Sequence, residues 1–357
     1  MSSSTAHARH TRRTALAAAV AVALTAGSTV ALAGTASAGT AAPAVAEVTT
    51  AALVKGLYQS SYSERNDTLW VTVSVGRPPV TDSRLLKVDP DTLEVEQTIV
   101  PPVTNATTGA REAVYGVAVD DEHNTVWVTN TRNNTVAVYS QRTGAHLATL
   151  PDVNHARDIL VDEKHDTVWA SGFGDGTLVA YDSRTLTETR RVTVEGTGPT
   201  GLTLNERTGA VYAADLNNDQ IIEVSRKSGE PRLIPAGDGP IAVALSRNGR
   251  TAYTADQTGG TVSVVDLKAG TLTKSVATGA GALSVATDER TGNVLAVNRG
   301  AANVTVVDPR AGAVVGTVAT GTNPNHVELV EGTAYVVDKS GSGPAGEDLL
   351  TRIRLAR

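Results

Sequence analysis

A carboxylate and an imidazole interrupt a row of small residues. At one register of an internal repeat the chain reads Gly116, Asp158, Gly201, Ala242, Ser284 and His326, with His155 and Arg157 close to Asp158. A carboxylate can ligate a hard cation, and an imidazole can take up a proton or bind a metal. An Arg157–Asp158 pair at a surface would contribute little by itself. A second register ends in side-chain oxygens at Asn130, Asp215, Asp256, Asn298 and Asp338. Two readings of these five are open. They cap turns by accepting backbone N–H groups, or they form a polar ring that holds a cation or polar ligand. In an enzyme, Asp158 and His326 would be the catalytic pair. Asp158, Asp256, Asn298 and His326 would then be the metal ligands, with calcium as the cation such oxygens suit. No other cofactor is expected.

Other chemistries are narrowed by what the 357 residues lack. There is no cysteine, which removes disulfides, thiolate metal sites, covalently attached c-type haem and a thiol nucleophile. No glycine-rich phosphate loop and no Gly-x-Ser-x-Gly occurs. His123 and His165 fall in turns, read as solvated, and lack metal-ligand spacing. Arg9, Arg12 and Arg13 are the charged residues of the first 38, so losing that segment takes the net charge from −6 to −9. A domain this acidic is a poor general binder of nucleic acid or anionic lipid.

The elements that must position these residues follow from the repeat. Trp127-Val128-Thr129-Asn130 recurs as Trp169-Ala170-Ser171-Gly172, Tyr212-Ala213-Ala214-Asp215, Tyr253-Thr254-Ala255-Asp256, Leu295-Ala296-Val297-Asn298 and Tyr335-Val336-Val337-Asp338. The starts lie 42, 43, 41, 42 and 40 residues apart, and a degraded copy, Trp70-Val71-Thr72-Val73, lies 57 residues upstream of Trp127. Each copy sits among short alternating runs such as Val262-Ser263-Val264-Val265, separated by turns such as Asp266-Leu267-Lys268-Ala269-Gly270. Period-2 alternation with Gly turns at fixed offsets gives four antiparallel strands per unit. One such unit cannot bury both faces, whereas a closed ring can. The fold expected is all-β, a seven-bladed β-propeller of four-stranded antiparallel blades, with the Trp and Tyr anchors packed between blades.

These tetrads resemble the YVTN-type β-propeller repeat of the YncE-like family, over about Gly56 to Arg357. The departures are Val73 and Gly172 at the Asn/Asp position and Leu295 at the aromatic one. The resemblance implies a secreted or surface propeller and carries no activity with it.

The N-terminus reads as a targeting segment. A polar, positive stretch precedes an Ala/Val/Leu run from Thr14 to about Leu32, and Ala36-Ser37-Ala38 offers a small-residue cleavage site. Residues 1–38 are therefore expected to be a signal peptide, residues 39–44 a flexible lead-in, and residues 45–357 the propeller, exported with no transmembrane anchor. Arg12-Arg13 loosely fits a twin-arginine signal. Blade seven runs out of chain one strand short, while Val45–Ala51 is β-prone and unassigned. That segment is expected to pair with Leu349–Leu355, closing the ring by an N-terminal strand in the last blade.

Three loops exceed their counterparts: Val73–Ser83, Pro102–Glu112 and Lys339–Asp348. All are expected on one face, over blades seven, one and two, with Arg77, Arg111 and Lys339 as ligand contacts. Two functions follow from this reading. One is a monomeric, non-catalytic binding module for a protein, a polysaccharide or a small envelope ligand. The other is a hydrolase or lyase of the lactonase or streptogramin-lyase kind. The ligand candidates are Asn130, Arg157, Asp158, Asp215, Asp256, Asn298, His326 and Asp338, with the three loop cations.

Overall fold

The computed structural model describes residues 45–356 except Ser228, so the expected signal peptide and lead-in lie outside the described residues. Seven four-stranded antiparallel sheets follow one another along the chain. Their innermost strands are Leu57–Ser63, Val114–Asp120, Ala156–Asp162, Pro199–Asn205, Pro240–Leu245, Ala282–Thr287 and Pro324–Val330. Each lies beside the innermost strands of the two adjacent blades, and that of blade seven lies beside that of blade one. The helix among the described residues is a single 3-10 turn, Glu163–His165.

The seventh blade joins the two ends of the chain. Val45–Ala52 is its outermost strand, antiparallel to Leu349–Leu355 in a register running from Val45↔Leu355 to Ala52↔Leu349. The closing strand is mostly exposed, with Val45, Thr49 and Ala51 half-buried. Alternation of this kind suits an edge strand that covers another edge.

Each blade interface holds its own apolar cluster. Trp70 packs between blades one and two, Trp127 between two and three, and Trp169 between three and four. Tyr212, Tyr253, Leu295 and Tyr335 fill the remaining four interfaces. The anchors recur in register because each must fill the same gap between facing sheets. Buried indoles keep their N–H groups satisfied: Trp70 donates to Gln141 Oε1 at 3.1 Å and Trp127 to Thr125 Oγ1 at 3.1 Å. The tight turns have an equally local cause. Asp182, Asp266 and Asp308 each accept backbone N–H groups two or three residues on.

The long loops differ in detail from their expected form. Blade one's second strand continues to Val75 and its third begins at Asp82, so only residues 76–81 are loop there. Residues 102–112 are not bare loop but carry a small hairpin, Val103–Asn105 with Ala110–Arg111. The Arg111 amide donates to Val80 O at 2.9 Å, tying these two segments together. The third loop is held from its far end. Asp348 accepts the N–H groups of Gly56, Leu57 and Gly341, so it pins the ends of two connections to one carboxylate.

Candidate functional site: the axial cavity

In every blade the innermost strand loses register against its neighbour near its upper end. The breaks fall at Leu57/Ser60, Val114/Val117, Ala156/Ile159, Pro199/Leu202, Pro240/Ala242, Ala282/Ser284 and Pro324/His326. The residues inside those breaks are Tyr58 and Gln59, Tyr115 and Gly116, Arg157 and Asp158, Thr200 and Gly201, then Ile241, Leu283 and Asn325. All of them line one cavity of about 350 Å³. A bulge re-aims side chains that a regular ladder would place on alternate faces. Seven bulges around one axis therefore make the site.

Crowding selects the small residues. A Cβ on Gly201 would lie 2.7 Å from Ala242 Cα and 2.9 Å from Ile241 O, and one on Gly116 would lie 2.8 Å from Arg157 O. Hydroxyls stabilise three of the four wider bulges. In blades one to three the third residue of the anchor tetrad is Thr72, Thr129 or Ser171. Each accepts an N–H freed by its own bulge, from Gln59, Gly116 and Asp158 respectively. Each also donates to a carbonyl of the next blade, at Tyr115, Arg157 and Thr200. Blades four to seven carry Ala214, Ala255, Val297 and Val337 at this position.

The axial register is a set of ties between blades. Gln59 Oε1 accepts Val117 N–H, Asp158 Oδ2 accepts Leu202 N–H at 2.8 Å, and Ser284 Oγ accepts Val327 N–H. His326 Nδ1 accepts Ser60 N–H at 3.3 Å, and Glu328 Oε1 accepts Tyr62 N–H at 3.1 Å. The Ser60 amide leaves Nδ1 only the acceptor role, so the neutral ring carries its proton on Nε2. Burial lowers the imidazole from 6.5 to about 4. It also raises Asp158, against hydrogen bonds from the Leu202 and Ile159 amides. Glu328 was not anticipated from the sequence. It stands two residues below His326, on the same side of the strand by period 2. Burial first, and then the charge of Asp158, raises it to about 7.

Aromatic and cationic groups surround the upper part of the cavity. Tyr58 and Tyr115 meet edge to face at 4.4 Å, backed by Val80 and Ala113 from the long segments. Burial, followed by Tyr115, raises the Tyr58 phenol to about 12. The chain's one phenylalanine, Phe173, lies 5.4 Å from His155 and 5.7 Å from the Arg157 guanidinium. Arg132 and Arg299, at the exits of the second strands of blades two and six, line the cavity with Arg157. Lys339 Nζ lies 3.6 Å from the Tyr58 ring centroid and donates to Leu57 O, and burial lowers it to about 8.

The candidates thus separate into groups. Arg157, Asp158 and His326 face the cavity and Lys339 borders it. Asn130, Asp215, Asp256, Asn298 and Asp338 lie inside their blades, each at most 1% exposed. Their bonds are local: Asp256 accepts from Thr254, Thr261 and Ser263, and Asp215 from Gly198, Asn218 and Gln220. Asn130 donates to Thr135, Asn298 to Asn303 and Thr305, and Asp338 accepts from Ser340 and Leu349. Arg111 donates to Pro101 O. Arg77 is on the exposed 76–79 turn, apart from the cavity lining.

The two turn histidines, expected to be solvated, are only partly so. His123 and His165 are 22% exposed, each held by the aspartate three residues before it. Glu122, His123 and Asp166 bring one ligand atom each within 4.8 Å of one another, across the turns of blades two and three. Sequence spacing misses this group because it spans two blades. Among the described residues no helix is long and apolar enough to cross a membrane.

No protein-family model matches the chain. It is similar to the uncharacterized protein YncE of Escherichia coli K12, 29% identical over 101 residues, and to the same extent to its namesake in Escherichia coli O157:H7. The match covers 28% of this chain and 26% of each relative, about a quarter of their length. A full seven-bladed ring and this local similarity make the chain a β-propeller protein that loosely resembles YncE.

Proposed function

We propose that the protein is an exported, YncE-like, non-catalytic binding module, and that its ligand enters the axial cavity. One observation carries this reading. The groups that hydrolase or lyase chemistry would use at the axis already hold blades together. His326 spends its basic lone pair on Ser60 N–H and Asp158 spends part of its carboxylate on Leu202 N–H, so each already serves as a tie between blades. Asp256 and Asn298, the other ligands such chemistry would draw on, lie inside their own blades, apart from the cavity lining. A rigid scaffold with a preformed, mostly uncommitted cavity mouth suits recognition. Export rests on the N-terminal Arg-rich, apolar and Ala-x-Ala sequence.

The test is a thermal-shift screen of the chain lacking residues 1–38 against Ca²⁺, Mg²⁺, Zn²⁺, neutral sugars and small organic acids, with proton NMR of every hit. A specific ligand raises the midpoint by mass action. Binders recovered unchanged support the module, and a binder converted to product establishes the hydrolase or lyase instead. Fractionation of cells carrying the full chain, with and without residues 1–38, tests export separately.

A further inference from the structure

We infer that the axial cavity is selective for a small organic anion, one carboxylate or phosphate group on a compact body. This rests on the cavity being the binding site of the proposed module. It goes beyond that reading by fixing the ligand's charge, against the acidic balance of the chain as a whole.

Charge is distributed unevenly along the axis. Arg132, Arg157 and Arg299 line the cavity, yet among the described residues none of the three forms an ion pair within 4.0 Å. Arg157 and Arg299 are partly buried and Arg132 is exposed; the buried Arg352, by contrast, is paired with Asp91. Lys339 adds a fourth cation at the edge, and its neighbour Asp348 is committed to three backbone N–H groups. The acids at the axis lie at the bulges and below. One carboxylate, Asp158, shares the lining with the three guanidinium groups, and its Oδ2 is turned to Leu202 N–H. Three guanidinium groups around one concave space are a fork-shaped donor set for an oxyanion.

The rest of the lining sets the body of the ligand. Tyr58 and Tyr115 form one aromatic wall, with Phe173 behind His155 and Arg157. The innermost strands of blades four to six present uncharged residues, among them Ile241, Leu283 and Val285. A space of about 350 Å³ is at the small end of ligand pockets. A single-ring carboxylate or an aryl phosphate fits these limits, with its oxyanion among the arginines and its body against the tyrosines and the uncharged wall.

The test is calorimetric titration of the chain lacking residues 1–38 with benzoate, phenyl phosphate and benzamide, the uncharged isostere of benzoate. At least one anion is expected to bind, more weakly as salt rises, and benzamide is expected not to. Benzoate against phenyl phosphate separates a carboxylate ligand from a phosphate ligand. In R132A/R299A, with melting unchanged, affinity should fall about tenfold or more, the loss of one or more charge-assisted bonds. Binding of benzamide equal to benzoate, unchanged affinity in R132A/R299A, or no heat with either anion at millimolar concentration would overturn the inference. A neutral sugar that binds where the anions do not would overturn it and leave the binding module standing. An anion that binds and is converted to product would do the reverse.

Discussion

Replacing Glu328 with glutamine should stabilise the protein at alkaline pH and leave it nearly unchanged at acid pH. The carboxyl lies at the axis with Oε1 accepting Tyr62 N–H. Burial, and then the charge of Asp158, raises it from 4.5 to about 7. The folded state therefore holds the proton more tightly than the unfolded chain. The stability this contributes is complete below about pH 4.5 and is lost as pH rises through about 7. A shift of this size corresponds to at most about 3 kcal/mol, at 1.36 kcal/mol per unit, and the partial exposure of Glu328 reduces it. Glu328→Gln keeps an oxygen for Tyr62 and cannot ionise, so it escapes the loss. Urea unfolding at pH 4.5 and pH 8 measures this directly. The variant should match wild type at the lower pH and exceed it by about 1 to 3 kcal/mol at the higher. An equal difference at both pH values, or none at pH 8, would refute the claim that folding holds this carboxyl protonated.

Three further outcomes follow from the same geometry. His326→Gln should remove an opposite slope: burial lowers His326 to about 4, so its contribution is present above about pH 6.5 and lost as pH falls through about 4, which urea midpoints at pH 4.5 and pH 7 would show. Asp348→Ala should cost at least about 2 kcal/mol in chemical denaturation, because it leaves the buried Gly56 and Leu57 amides, and the exposed Gly341 amide, without their shared acceptor. Deleting residues 39–52 should lower the melting temperature of the whole ring and expose Leu349–Leu355 as an open edge; melting that matches the full chain would mean that closure contributes nothing.

The ring was legible in the sequence because it repeats. Anchors 40 to 43 residues apart answer to one recurring gap between blades, and the alternation in Val45–Ala51 marks an edge strand whose partner can be found by counting strands. The cavity was only half legible. Asp158 and His326 stood out against small neighbours, but the bulges that aim them arise from crowding at the axis, which no single strand records. One signal was present and unused: Thr72, Thr129 and Ser171 stand where later blades carry Ala or Val, and they accept the amides that the bulges of blades one to three set free. Glu328 was missed because a single register was followed along the innermost strand, although period 2 places it below His326. Arg132 and Arg299 follow the second-strand tetrads, where each looks like an ordinary loop residue until the ring closes.

The most direct test of the cavity as a selective anion site is a crystal structure of the chain lacking residues 1–38 grown with phenyl phosphate. The predicted result is a phosphate held by Arg132, Arg157 and Arg299 in the axial cavity, with the phenyl ring against Tyr58 and Tyr115. Phenyl phosphate bound on the outer surface of the blades, with only water in the cavity, would contradict it.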